Sequence, residues 1–362
     1  MVSIVILTFN ALDLTKLCVA SIIANTDYPY QFVFVDNAST DGSVEFLKTV
    51  ITQSAPGVPG VKHKLICNKE NRGFAAGCNQ GILAADGEYI LLLNSDTIVP
   101  PGWLSALVRT AESAPDIGIV GPLTNNTLPT QMVQCNYTDI DGMYNFAEEL
   151  KKKNAGRIRE MEHLTGFCML IKRPVIDAVG LLDENYGIGT FEDTDYCWRA
   201  RLAGYRLILA EDAFVHHRLF GSFDANKIDI HPISDRNQVY FNEKKRLNAF
   251  QTIDLNVTDK LCCYKDGKYS IAGLRIKKDG PLNYSVDVEY KKNGGEMASL
   301  SGVIVKNFKA GALDVLMVSV NEQLSEWDAG LEALCRRAVY DAIHLKLVRF
   351  PQPEYLSIRF KD

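Results

Sequence analysis

Three acids stand within four positions, Glu192, Asp193 and Asp195, in the stretch Thr190-Phe191-Glu192-Asp193-Thr194-Asp195-Tyr196-Cys197-Trp198-Arg199, where a turn becomes a helix. Carboxylates this close repel one another and raise each other's pKa, which suits a general base, a metal ligand or a group that binds hydroxyls. An acidic first turn favoured by the helix dipole would look the same in isolation. The company of the cluster separates the two readings. Upstream lie Val35-Asp36-Asn37, Asn71-Arg72-Gly73-Phe74 and Leu93-Asn94-Ser95-Asp96, each polar group following an apolar run, and downstream comes Val215-His216-His217.

The elements that must position these residues alternate. Ser3 to Thr8 reads as a buried strand, and Asp13 can cap a helix whose face is Leu14, Leu17, Cys18 and Ile22. Gln31 to Val35 is a second strand, ending in the turn residues Asp36 to Gly42 before a helix from Ser43 to about Val50. Lys64 to Cys67 is a third strand, Phe74 to Ala85 a helix, and Tyr89 to Leu93 a fourth strand, continuously apolar as a central parallel strand should be. This order predicts a doubly wound α/β fold with a mostly parallel sheet, which binds ligands beyond the carboxyl ends of its strands.

The polar residues fall at those ends. Thr8, Asn10, Asp36 and Asp96 each close an apolar run. A carboxylate after the second strand can accept a hydrogen bond from a pyrimidine ring N–H or a ribose hydroxyl, and it can equally form an Asx-turn that stops the strand. Gly73, Gly77 and Gly81 recur every fourth residue, share one helical face and let that helix pack close to the sheet. Arg72 stands just before that helix, where its guanidinium and the dipole both favour a diphosphate. Asp96, at the end of Leu91-Leu92-Leu93, suits a divalent metal that bridges phosphates.

Composition bounds the alternatives. The chain has 362 residues, 47% apolar and 23% charged, enough for a sizeable core in one large domain plus a smaller one. Its net charge of −5, with Lys and Arg dispersed, gives no broad basic face, so nucleic acid is not an expected partner. The nine cysteines form no CxxC pair and read as reduced core thiols. The first residues run straight into a strand without a basic leader, and no apolar run reaches membrane-spanning length, so the cytoplasm is the expected compartment.

Together the motifs resemble a family 2 glycosyltransferase, an inverting enzyme of GT-A fold, and within it the rhamnosyltransferase-like members of polysaccharide and O-antigen pathways. The likeness rests on Ile4 to Asn10, Val35 to Ser43, Asn71 to Asn79, Leu92 to Asp96, Thr165 to Ile171, Phe191 to Asp195 and His216-His217, over roughly residues 1–250. It implies a nucleotide-sugar donor of UDP or dTDP type and a glycan or lipid-linked saccharide acceptor. It allows peripheral attachment at the inner face of a membrane and a homo-oligomer. Carried over residue by residue, Thr8, Asn10 and Asp36 hold the nucleoside, Arg72, Asn94 and Ser95 complete the nucleotide site, and Asp96 with His217 holds Mg²⁺ or Mn²⁺. Asp193 is the catalytic base with a moderately raised pKa. Glu192, Asp195 and Trp198 face the acceptor, Asp195 also being placed to cap the helix. Asn94 departs from the family's Asp-x-Asp, which weakens metal binding by the protein alone.

The resemblance gives residues 1–250 as the catalytic domain and leaves 255–362 as a small α+β appendage. Lys268 to Ile276, Asn283 to Tyr290 and Leu313 to Val320 read as strands there, and Leu331 to Tyr340 as a helix. The abrupt end at Phe360-Lys361-Asp362 fits a piece of a longer polypeptide. A dehydrogenase would need GxGxxG after the first strand, and a pyrophosphorylase a basic Gly-rich loop; neither is present. The rival from another class is a catalytically inactive protein on the same fold that binds glycans or nucleotide sugars.

Overall fold

A computed structural model describes residues 1–53, 60–127, 129–218, 226 and 228–248, and the strand segments 252–255, 269–278, 283–292, 297–307 and 312–316. The chain divides into two compact units, Met1–Asn237 and Gln238–Asp362.

The first unit begins with β1 (Val2–Thr8), α1 (Leu12–Asn25), β2 (Tyr30–Asp36), α2 (Ser43–Ile51), β3 (Lys64–Cys67), α3 (Phe74–Ala84) and β4 (Tyr89–Asn94). It continues with β5 (Thr97–Ile98), α4 (Trp103–Glu112), β6 (Ile117–Leu123), α5 (Ile140–Lys153), β7 (Ile158–Met161) and β8 (Cys168–Lys172). Next come α6 (Arg173–Val179), α7 (Glu192–Leu202), β9 (Arg206–Phe214), β10 (His216–His217) and α8 (His231–Asn248), and the boundary between the units falls inside α8.

Eight strands form one sheet in the order β3-β2-β1-β4-β8-β6-β9-β7. β1 to β4 pair in parallel, as do β6 and β9, whereas β8 is antiparallel to both of its neighbours and β7 is antiparallel to β9. Six strands therefore point one way, and the carboxyl ends of β1, β2 and β4 lie along one edge. The segment Thr165 to Ile171 supplies most of β8.

Alternation along β1 shows why both faces are apolar. Val2, Ile4 and Ile6 join one core with α1, α2 and α4, while Val5 joins a second core with α3, α5, α6 and α7. The glycines of α3 do what their spacing predicts. A Cβ at Gly77 would meet Leu7 Cδ1 at 2.3 Å, and one at Gly81 would meet Val5 Cγ1 at 2.2 Å, so α3 lies closer to β1 than any side chain permits.

Asp13 does not cap α1. Ala11 occupies the cap position in the left-handed conformation, and the Leu12 N–H instead donates to Asp41 Oδ2 at 2.8 Å, a carboxylate brought in by the turn after β2.

In the second unit, β11 (Thr252–Leu255), β12 (Tyr269–Lys278), β13 (Asn283–Lys292), β14 (Met297–Asn307) and β15 (Ala312–Leu316) form an antiparallel sheet in that order. β12, β13 and β15 overlap the expected strands; β11 and β14 were not foreseen. The expected helix from Leu331 to Tyr340 lies outside the described residues.

Candidate active site

A cavity of about 590 Å³ opens beyond the carboxyl ends of β1 and β4, of a size that holds a drug-sized ligand. Asn94, Ser95 and Asp96 line it from β4, and Glu192 and Asp193 line it from the first turn of α7.

The nucleoside candidates form one network. Thr8 Oγ1 donates to Asp36 Oδ2 at 2.9 Å, Ser39 N–H to Asp36 Oδ1 at 2.8 Å, and Ser39 Oγ to Asp36 Oδ2 at 2.5 Å. The Asn10 N–H donates to Ser39 Oγ at 2.8 Å, so Ser39 joins all three. Asp36 is fully buried and takes the turn-forming role rather than standing open in the cleft. With three donors already on it, a carboxylate keeps room for about one more. Asn37, the next residue, lines the cavity in its place. Arg72 is exposed, beside the cavity-lining Asn71 and Gly73.

The metal candidates meet through a two-residue ribbon. β5 and β10 pair antiparallel with His217 opposite Thr97, and the Arg218 N–H donates to the Asp96 carbonyl at 3.0 Å. His217 Nε2 lies 3.4 Å from Asp96 Oδ1. His217 Nδ1 lies 3.1 Å from the Asn126 carbonyl, which can only accept, so Nδ1 carries a proton and Nε2 faces the Asp96 carboxylate and the Asn94 amide, each at 3.4 Å. A ring nitrogen and a carboxylate oxygen at this spacing could serve as two ligands of one hard cation. Among the described residues no group of three His, Cys, Asp or Glu could hold a metal, so further ligands must come from elsewhere. Asn125 clamps the His217 backbone from both sides, at 2.8 and 3.2 Å, and Phe167 stacks on its ring at 4.8 Å. His216 turns away to Tyr137 Oη at 2.7 Å.

The acids of α7 divide. Asp193 Oδ2 accepts from the Gly166 N–H at 2.8 Å, and Oδ1 from the Thr194 N–H at 2.6 Å and the Thr194 hydroxyl at 3.2 Å, with His163 Nε2 3.6 Å away. Burial alone would raise this carboxyl. The His163 hydrogen bond and charge, with the two backbone N–H groups, outweigh it and hold Asp193 below the usual carboxylate range. This reverses the raised pKa expected from crowding. Glu192 receives the upward shift instead, well above the usual range, through burial first and then the charge of Asp193.

Asp195 is not an acceptor residue in this structure. It is fully buried and bonds Arg199 Nε at 2.8 Å, while Arg199 donates to the carbonyls of Val179 and Leu181 at 2.6 and 2.9 Å. It does not cap the helix either, because α7 already starts at Glu192 with Phe191 before it. Trp198 is half-buried and is not among the residues lining the cavity.

Two residues that hold the α7 wall escaped the sequence reading. His163 follows β7 and reaches Thr194 Oγ1 at 3.0 Å as well as Asp193. Asn237, fully buried in α8, points Nδ2 at the carbonyls of Tyr186, Gly189 and Thr190 at 2.9, 2.8 and 2.9 Å. Its two protons are shared among them, and they fix a loop in which Thr190 and Phe191 take left-handed backbone at φ 73° and 69°. The same loop packs on Gly73, where φ is 83° and a Cβ would stand 2.1 Å from the Gly187 carbonyl oxygen. Neither residue carries a local signal: each is a lone polar side chain whose partners are distant in the chain.

Residues 3–180 match the sequence profile of glycosyl transferase family 2. The solved structure of GalNAc-T7 with UDP, GalNAc and Mn²⁺ superposes with a TM-score of 0.51 at 17% identity, covering 67% of this chain and 47% of that one. The fold is therefore GT-A, and residues 3–180 carry the sequence of a family 2 glycosyltransferase domain. Curated relatives include a Mycobacterium tuberculosis N-acetylglucosaminyl-diphospho-decaprenol L-rhamnosyltransferase, 26% identical over 227 residues (55% of this chain, 70% of the relative). A Haloferax volcanii glucosyl-dolichyl phosphate glucuronosyltransferase is 26% identical over 208 residues (56% and 63%). The chain spans 24% of the length of a similar Sinorhizobium fredii protein and 57% of a Mycobacterium bovis one.

Proposed function

We propose that this protein is an inverting glycosyltransferase that moves a sugar from a UDP- or dTDP-sugar to a hydroxyl of a glycan or lipid-linked saccharide. The observation that carries the reading is that one cavity is lined by Asp193 on one wall and by the Asp96–His217 pair on the other. The relatives named for transfer to or from lipid-linked sugars support the acceptor class, and the UDP and Mn²⁺ in the solved relative support the donor and the ion. In this reading residues 1–250 carry the chemistry and 255–362 are an accessory unit. A lipid-linked acceptor would bring the protein to a membrane surface; among the described residues no helix is long and apolar enough to cross one.

The chain's own groups divide the work. Thr8, Asn10 and Asp36 receive the nucleoside, with Asp36 offering its remaining lone pair to a pyrimidine N–H, and Arg72, Asn94 and Ser95 flank the diphosphate. Asp96 and His217 would hold Mg²⁺ or Mn²⁺, whose positive charge would offset the negative charge of a leaving diphosphate. Asp193 accepts the acceptor's hydroxyl proton as the new glycosidic C–O bond forms and the bond to the nucleoside diphosphate breaks on the opposite face. Its depressed pKa keeps it ionised throughout the neutral range, at some cost in basicity.

The test is a panel of nucleotide sugars scored for diphosphate release and for thermal protection, on the native sequence and on Asp193→Asn. We expect loss of transfer by about 10²–10⁴-fold in the variant with nucleotide protection retained. No turnover of any donor by the native protein would favour the inactive binding protein, and substantial activity in Asp193→Asn would remove that residue from the role of base.

A further inference from the structure

Of the two adjacent acids on the cavity wall, Asp193 is the better provided for as an anion. It takes donors from Gly166 and Thr194, whereas Glu192, 5% exposed, has only its own backbone N–H and keeps Oε2 buried with no hydrogen-bond partner among the described residues. No Lys or Arg is among the described residues lining the cavity. An ionised Glu192 would therefore place an under-satisfied buried charge one residue from a second carboxylate, a costly arrangement. A protonated Glu192 carries an O–H that needs an acceptor, and the cavity is the place from which one can come.

We propose that Glu192 enters the reaction uncharged and donates a hydrogen bond through its carboxyl to an oxygen of the acceptor sugar, holding that sugar while the neighbouring Asp193 takes a proton from it. This rests on the transferase reading above and gives the two acids opposite protonation states. The groups that face Glu192 agree with it. Asp193 and Asp195 lie on its own helix, the second already tied to Arg199, and Cys78 faces it from α3. His163 is engaged with Asp193 and Thr194, and Asp96 and His217 stand at the strand ends. Arg199 and His163 each hold another carboxylate, Asp195 and Asp193 respectively. Burial and the Asp193 charge shift its titration in the same direction as the geometry.

The experiment compares Glu192→Gln and Glu192→Ala in the full chain. Glutamine keeps a neutral donor and alanine removes it, so we expect Glu192→Ala to lower kcat/KM for the acceptor about thirtyfold, mainly through KM, and Glu192→Gln only about threefold. In the native protein the acceptor KM should rise on the alkaline side as Glu192 ionises, and Glu192→Gln should abolish that rise. A Glu192→Gln variant as impaired as Glu192→Ala, or a change confined to the donor KM, would overturn the proposal. A second readout needs no activity. With a folded pKa above the unfolded one, the native state keeps its proton after the unfolded chain has lost one, so stability falls as pH rises through that window. Glu192→Gln removes this loss, and its Tm advantage should widen as pH rises above the ordinary glutamate value of about 4.3. A constant Tm difference would sink the neutral Glu192, whereas a widening one without any donor turnover would keep it and bring down the transferase reading.

Discussion

At the strand ends, polar groups are answered by other polar groups: Asp36 by Thr8 and Ser39, the His217 backbone by Asn125, and the His217 ring by Asn126. The wall made by α7 is different. Thr190 and Phe191 are held in left-handed backbone, Glu192 Oε2 is buried without a hydrogen bond among the described residues, and two acids adjoin. The first wall has left-handed residues of its own, Asn10, Ala11 and Ala38, in the turns that follow β1 and β2, and a dense hydrogen-bond network holds them. The second is kept in place from behind, by the buried Asp195–Arg199 pair and by Asn237. Left-handed backbone persists on both walls because surrounding structure over-determines it; what differs is how far the carboxylates are satisfied.

Removing the rear support should do most to break this contrast. Asp195→Asn leaves Arg199 buried without its counter-charge and should destabilise the protein by about 3–5 kcal/mol, read as a fall in the denaturant midpoint. Asn237→Ala frees the 186–190 carbonyls and should cost about 2–4 kcal/mol. It should also lower kcat at least about tenfold while nucleotide affinity changes less than about threefold, because the strand-end wall does not touch it. Equal losses in both would mean that the two walls are one unit. Thr190→Gly relieves the left-handed strain but adds unfolded-state freedom, so its stability should change by less than about 1 kcal/mol in calorimetry. A larger gain would show that the strain is local to that residue.

The sequence announces most of the first wall. Apolar runs ending in Thr8, Asp36 and Asp96 place those residues at strand ends, and the four-residue spacing of Gly73, Gly77 and Gly81 marks the helix that lies on β1. Much less of the second wall is legible. The i, i+4 spacing of Asp195 and Arg199 is visible, but which face of α7 turns inward depends on packing against α6 and β9. The acids' crowding suggests that all three pKa values rise; the donors that pull Asp193 down come from Gly166 and His163, roughly 30 residues earlier, and no local period encodes them. The reversed direction of β8 is seen only in its pairing with β4 and β6, and β5 and β10 are too short for any period to reveal.

That two-residue ribbon has a bearing on how the protein comes to be competent. Asp96 and His217 are roughly 120 residues apart in the chain, and contacts across so wide a span belong late in folding, after the cost of closing the loop has been met. A chain still being synthesised holds Thr8, Asp36 and Ser39 well before His217 exists to face Asp96. Under the proposed function, affinity for a nucleoside alone should mature earlier than any joint affinity for nucleotide and ion, and the second affinity would report that the first unit has closed.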